Sequence, residues 1–360
     1  MPPLSPHDEV QERRRYRKTR FLSKTVQWLE KTDFEAKIVI AGNHDVTLDK
    51  TFYAEYGSYF HNQTPQSPDA CINLLSSSPT ITYLNHSSAT IIMDKHPSLK
   101  TRFTVFGSPY SPKNGMWAFG YDKVSPAGPT DTEPGTAGGL PSAGALWSAI
   151  PLDTDIVVTH TPPYTHCDES TSKRRALGCE DLRQALWRVR PKLAVCGHVH
   201  EGRGAERVRW DVLGASGAPY TELGVERWED PGAGQGNNKM SLVDLTSRGG
   251  KPPLDHHSDP PARRGASEDS RGRVGGTCEP SADDTTTGTA LPGFGTRGIG
   301  GNPNLSVRCD RAALCSRMGR RETCVVNCAI AATNWPHTGG KKFNKPVVVD
   351  LDLPVLEDDS

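Results

Sequence analysis

The sequence lacks an excess of either charge: 42 Lys and Arg meet 42 Asp and Glu over 360 residues, a formal net charge of zero. That excludes a global electrostatic footprint for nucleic acid or for an anionic membrane surface. It also lacks any apolar run near the roughly 20 residues that a membrane-spanning helix needs. The first residues, MPPLSPHDEVQERRRYRKTRFL, contain no apolar core of a secretory leader. The expectation is therefore an intracellular, cytoplasmic protein. Nine cysteines without paired short spacings fit reduced thiols better than a disulfide framework. Hydrophobic residues make up only 35%, beside 35 glycines and 29 prolines. That balance suits one globular core carrying substantial unstructured insertions.

What is present begins with a basic, polar segment, residues 1–20, ending RRRYRKTR. A solvated, loosely ordered tail is the preferred reading, with nuclear targeting or anion binding as the alternative. From Phe21 the pattern turns helical, with Leu22, Val26 and Leu29 recurring on one face. KIVIA at 37–41 is a buried-strand pattern. So are ITYL (81–84), ATIIM (89–93), RFTVFG (102–107), DIVVTH (155–160), KLAVCGH (192–198), VRWDVL (208–213), TCVVNCAI (323–330) and PVVVDLDL (346–353). Helix candidates lie between them: AEYGSYF, PDACINLLSS, and CEDLRQALWRVR (179–190), whose Leu182, Ala185, Leu186 and Val189 share a face before Pro191. Apolar strands interleaved with helices predict an α/β layered core. Two stretches rich in Pro, Gly and polar residues, 124–144 and 229–306, are expected to be disordered insertions within one domain spanning 21–354. Residues 355–360 form a short acidic tail.

Three strand ends carry chemistry. Gly42-Asn43-His44-Asp45 follows the first strand, His160 follows DIVVT, and His198 and His200 follow KLAVCG. Open α/β sheets bind ligands beyond the carboxyl ends of their strands. In extended chain, residues i and i+2 point the same way, so His198 and His200 are expected to face one site. Imidazole nitrogen and amide oxygen suit Mn, Fe or Zn, and two such ions about 3.5–4 Å apart can activate water for phosphoryl transfer. Gly42 and Gly197 let the backbone turn and approach an ion closely.

GNHD, VVTHTPP and GHVHEGRG, in that order, resemble the motifs of the calcineurin-like metallophosphoesterases. VFGSPYSP, MWAFGY and NWPHTGGKKFNKPVVVDLDLP are similar to the metallophosphoesterase-domain proteins of animals and fungi. The resemblance covers about residues 21–123, 145–228 and 307–354. It implies a metallo-dependent phosphatase-like β-sandwich of mixed sheets flanked by helices. It also implies hydrolysis of a phosphomonoester or phosphodiester, with cyclic nucleotides as candidate substrates. By position, Asn43, His160 and His198 would ligate the second of two metal ions and His200 the first. His44 would be the non-ligand histidine that stabilises the transition state or protonates the leaving oxygen. Asp45 either orients the site or caps the loop. Arg203 either contacts substrate phosphate or is an ordinary surface arginine. The implied partner is a small phosphorylated substrate, with no nucleic acid and no membrane; the oligomeric state is left open.

Two blocks of that family have no counterpart upstream of Gly42. They are an Asp-x-His after the first strand and a Gly-Asp whose carboxylate bridges the two ions. His7-Asp8 lacks the spacer and follows no apolar strand, and no Gly-Asp pair occurs there. The residues present would hold one ion of the two. The expectation is an N-terminally incomplete domain, its first strands missing and KIVIA left with an uncovered pairing edge. The competing reading is a pseudoenzyme kept as a binding or scaffold protein. A zinc or nucleic-acid module built on Cys309, Cys315, Cys324 and Cys328 is the third class, disfavoured because Cys324 and Cys328 lie in a strand-like run. His256 and His257 are read as residues of the disordered insertion.

Overall fold

The computed structural model describes residues 20–62, 64–95, 100–122, 142–212, 220–228, 230, 239–248, 252–256, 320–333 and 340–353. In it, chain order runs α1 (Arg20–Lys31), β1 (Lys37–Ile40), α2 (Lys50–His61), α3 (Pro68–Ser76), β2 (Ile81–Leu84), β3 (Ser87–Met93) and β4 (Thr101–Ser108). It continues through α4 (Ala143–Ser148), β5 (Ile156–Thr159), α5 (Glu180–Val189), β6 (Leu193–Cys196) and β7 (Gly204–Trp210). β8 (Glu222–Trp228), β9 (Ser241–Asp244), β10 (Glu322–Asn327) and β11 (Val347–Asp350) complete it. α2, α3 and α4 start where a side chain satisfies one of their first amides. Asp49 accepts from Phe52 N at α2, and Ser67, followed by Pro68, accepts from Ala70 N at α3.

Seven strands form one mixed sheet in the order β8-β7-β10-β6-β5-β4-β3. Its centre is parallel, with β4, β5, β6 and β10 side by side, and its outer pairs are antiparallel. Strand side chains alternate between faces, and here the alternation divides two cores. Val157, Ala194, Val208 and Val325 face α4 and α5, packing with Trp147, Leu182, Leu186 and Trp210. Their neighbours Ile156, Val195, Cys324 and Val326 face the other way, against Val243, Val347 and Val349 of the parallel pair β9–β11. A second parallel pair, β1–β2, lies against the sheet's other end: Ile38, Ile40 and Leu84 meet Ile91, Phe103 and Val105. The outward residues of that pair, Val39, Ile81 and Tyr83, are covered by α1, α2 and α3 through Val26, Tyr53, Cys71 and Leu75. Among the described residues β1 pairs on one side only, with β2.

The mixed α/β fold with a large mixed sheet flanked by helices is the one expected, with three local corrections. The 229–306 stretch is not wholly an unstructured insertion. Ser241–Asp244 is a strand, and His256 bonds to the Glu322 carbonyl oxygen and is bridged to Arg320. The end of the 124–144 stretch belongs to α4, capped by Ser142. β7 starts at Gly204, four residues before the expected 208, because Ala205 and Glu206 already pair with Val326 and Val325. The basic segment 1–19, residues 123–141, His257, Cys309, Cys315 and the acidic tail lie outside the described residues.

Candidate metal centre

β1 ends in a turn closed from both directions. Asp45 N donates to the Gly42 carbonyl (2.9 Å), and Gly42 N donates to Asp45 Oδ2 (2.8 Å). The turn buries Asn43 and leaves His44 exposed. Buried Val46 and Leu48 then anchor the segment in the α1–α3 core. The loop from 113 to 119 is fastened to this turn: Ala118 N donates to the Asn43 carbonyl (3.1 Å) and Phe119 N to Asp49 Oδ2 (2.9 Å). That brings the Trp117 ring to 3.9 Å from the His44 ring, centroid to centroid.

The histidines from the central strands are fixed by backbone. His160 N donates to the Ser108 carbonyl (3.0 Å) and Gly197 N to the His160 carbonyl (3.1 Å), so the parallel ladder continues past the strand ends. His198 does not continue the extended chain. Its φ is +62°, in the left-handed region that costs a non-glycine residue about 1–2 kcal/mol. His200 opens a short 3-10 turn, His200–Gly202. The two histidines therefore reach the site through a turn rather than through the strand alternation expected.

Asn43 Oδ1 lies 2.8 Å from His160 Nε2, which lies 3.0 Å from His198 Nδ1. The His160 and His198 rings meet edge to face at 4.7 Å. Burial, with repulsion from His198, His44 and His200, pushes the His160 pKa down to about 3. His160 therefore presents a neutral imidazole. His44 is also pushed down, by partial desolvation foremost; the Asp45 carboxylate opposes the shift and His200 adds to it. Gly42 permits the close packing, because a Cβ there would stand 2.7 Å from His160 Cε1.

Of the residues singled out in the sequence, Asn43, His160 and His198 are bonded together. His44 and His200 lie near enough for their charges to act on His160. Asp45 holds the turn. Arg203 is engaged away from the histidines: its Nη2 donates to Ser241 Oγ (3.0 Å) and to the Lys345 carbonyl (2.9 Å), tying β7 to β9 and the start of β11. Trp117 had no role assigned, although it sits in the MWAFGY stretch. An exposed tryptophan in a glycine-flanked loop was the available signal.

The donor atoms fit one cation. Adjacent ligands around a six-coordinate ion at about 2.1 Å stand roughly 3 Å apart, which is the spacing of His160 Nε2 from Asn43 Oδ1 and from His198 Nδ1. Two imidazoles and an amide suit Mn, Fe or Zn. They supply no negative charge, however, and among the described residues no three His, Cys, Asp or Glu side chains form a group able to hold a metal ion. Cys324 and Cys328 do not form a zinc site either, since Cys324 is buried in β10 and Cys328 donates its thiol to the Cys196 carbonyl. No helix among the described residues is long and apolar enough to cross a membrane.

A family model for calcineurin-like phosphoesterases matches residues 17–202. Human metallophosphoesterase domain-containing protein 1 is 32% identical over 183 residues, 49% of this chain and 48% of that protein, and the Mus musculus protein of that name gives the same figures. A protein of Emericella nidulans called probable rhamnogalacturonate lyase C is 37% identical over 193 residues, 53% of this chain but 15% of its own length. The chain thus spans about half, or less, of the curated relatives it matches.

Proposed function

The chain belongs to the calcineurin-like phosphoesterase family, and from that premise we propose that it is a metal-dependent hydrolase of a small phosphomonoester or phosphodiester, a cyclic nucleotide being a candidate. The observation that carries this is the convergence of Asn43 Oδ1, His160 Nε2 and His198 Nδ1 within 3.0 Å steps. These three hold the cation, with His200 beside them. A bound Mn, Fe or Zn supplies Lewis acidity toward a phosphoryl oxygen and lowers the pKa of water. His44 handles the proton of the leaving oxygen; its support is its place, exposed, backed by Trp117 and outside the bonded trio. Asp45 keeps the turn closed, and Arg203 braces the strands behind the site. Manganese-dependent hydrolysis of bis(4-nitrophenyl) phosphate, abolished by His44→Ala and by His198→Ala, is the expected result. A folded, metal-loaded sample that hydrolyses neither this diester nor 4-nitrophenyl phosphate rejects the proposal.

A second reading is favoured by one observation, that the convergent donors include no carboxylate. In this reading the fold is retained as a binding protein with at most one weakly held ion. Metal content after gel filtration separates the two: an ion retained tightly and in stoichiometric amount excludes the second reading.

A further inference from the structure

Asn327 ends β10, wholly buried, one strand over from Cys196. Its side chain makes three hydrogen bonds, all to backbone groups beyond the strand ends. Nδ2 donates to the Cys167 carbonyl (2.9 Å) and to the Val199 carbonyl (2.8 Å), and Oδ1 accepts from Ala329 N (3.0 Å). Cys167 lies in the loop that begins at His160, and Val199 sits between His198 and His200. One amide group thus clamps together the two loops that carry the candidate ligands. The clamp closes over a tight contact. A Cβ on Gly202 would lie 2.3 Å from the Cys167 carbonyl oxygen, so the turn after His200 rests directly on the loop after His160. Both loops are strained where they meet, with Cys167 at φ +51° and His198 at φ +62°. Conformations of that kind persist only where surrounding contacts over-determine them.

From this geometry we infer that Asn327 is a positioning residue for the metal centre. Its side chain hydrogen-bonds to backbone alone, and it acts by holding the Val199 carbonyl, and with it the left-handed His198, against the His160 loop. The inference rests on the proposed metal site. A hydroxyl or a carboxylate cannot replace the amide. The first offers one hydrogen where two are needed, and the second sets a negative charge against two carbonyl oxygens. Loss of such an outer contact typically weakens metal affinity about 10- to 100-fold.

The test is Co2+ titration of the full chain, following the visible ligand-field bands, for wild type, Asn327→Asp, Asn327→Ser and the control Val326→Ala. Val326→Ala trims the neighbouring residue's packing against the β9–β11 layer without touching either loop. The expected result is at least tenfold weaker cobalt binding and altered bands for both Asn327 variants. Val326→Ala, at a comparable loss of Tm, keeps the wild-type constant. Equal cobalt affinity in all four proteins overturns the positioning role while leaving the metal site standing. No cobalt binding by wild type overturns both. Should the Asn327 variants not fold, hydrogen exchange on wild type decides. Amides of 197–203 protected like those of β10 support the clamp, and exchange at open-loop rates rejects it.

Discussion

At the residue scale, the site depends on a hydrogen atom where other residues carry a methyl. Gly42→Ala would put Cβ 2.7 Å from His160 Cε1 and 2.9 Å from Nδ1, contacts that real Cβ atoms do not make. The ring must move, and it is the middle member of the Asn43–His160–His198 chain. Overpacking of this kind costs about 1–3 kcal/mol, and a displacement near 1 Å at a reacting centre costs about 100-fold in rate. Gly42→Ala is expected to fold, to bind Mn2+ far more weakly and to lose about 100-fold in phosphodiester hydrolysis. Calorimetric titration with Mn2+ checks this, and unchanged binding contradicts it. The residues that converge were legible one by one, since Asn43, His160 and His198 each close a short apolar run. The left-handed φ of His198 was not, because it is imposed by the turn and by Asn327, 129 positions away in sequence.

At the scale of elements, the β1 turn reaches the main sheet's histidines because β1–β2 packs very closely on β4. Gly107 makes this approach available: a Cβ there would be 2.5 Å from Leu84 Cβ and 2.9 Å from Ile40 Cγ2. Gly107→Ala should therefore force the layer apart, costing about 1–3 kcal/mol, and should also weaken metal binding by moving Asn43 away from His160. Urea unfolding followed by circular dichroism measures the first effect and manganese titration the second; wild-type stability rules out the close-contact account. The elements read correctly from sequence were those with continuous apolar runs, β1 to β6, β10 and β11, and the helices α1, α2, α3 and the amphipathic α5. Those missed had a physical reason to look polar. β8 is an edge strand, ELGVERW, with Leu223 and Val225 exposed and a glycine inside it. β9 is four residues long within a Gly- and Pro-rich stretch and gains its apolar partner only from β11, about a hundred residues later. Arg203 shares that blind spot, since its partners Ser241 and Lys345 become neighbours only when β9 and β11 pair.

At the scale of the whole molecule, the loop after His160 is tied to the far half of the sheet through a buried histidine. His166 is almost wholly inaccessible. Its Nδ1 lies 3.0 Å from Glu206 Oε2 on β7 and its Nε2 3.3 Å from Glu222 Oε1 on β8, with Trp210 edge-on to the ring. Arg183 of α5 holds Glu222, Arg227 holds the other Glu206 oxygen, and Asp168 is close by in the same loop. Burial lowers the His166 pKa, but the hydrogen bonds and charges of Glu206 and Glu222 outweigh it and leave the pKa raised. The folded protein therefore holds this proton more tightly than the unfolded chain does. The resulting stabilisation is fully present below the unfolded value near 6.5 and is lost as pH rises through the higher folded value. Removing the ring should then matter more in acid than in base. Urea unfolding of wild type and His166→Asn from pH 6 to pH 9 is the measurement. The difference in unfolding free energy between the two should be largest at pH 6 and shrink toward pH 9, where the wild-type imidazole is neutral and neither protein carries a charge at position 166. A difference independent of pH would mean that the folded protein binds the His166 proton no more tightly than the unfolded chain does, and that the loop after His160 is held by packing and by Asn327 rather than by charge.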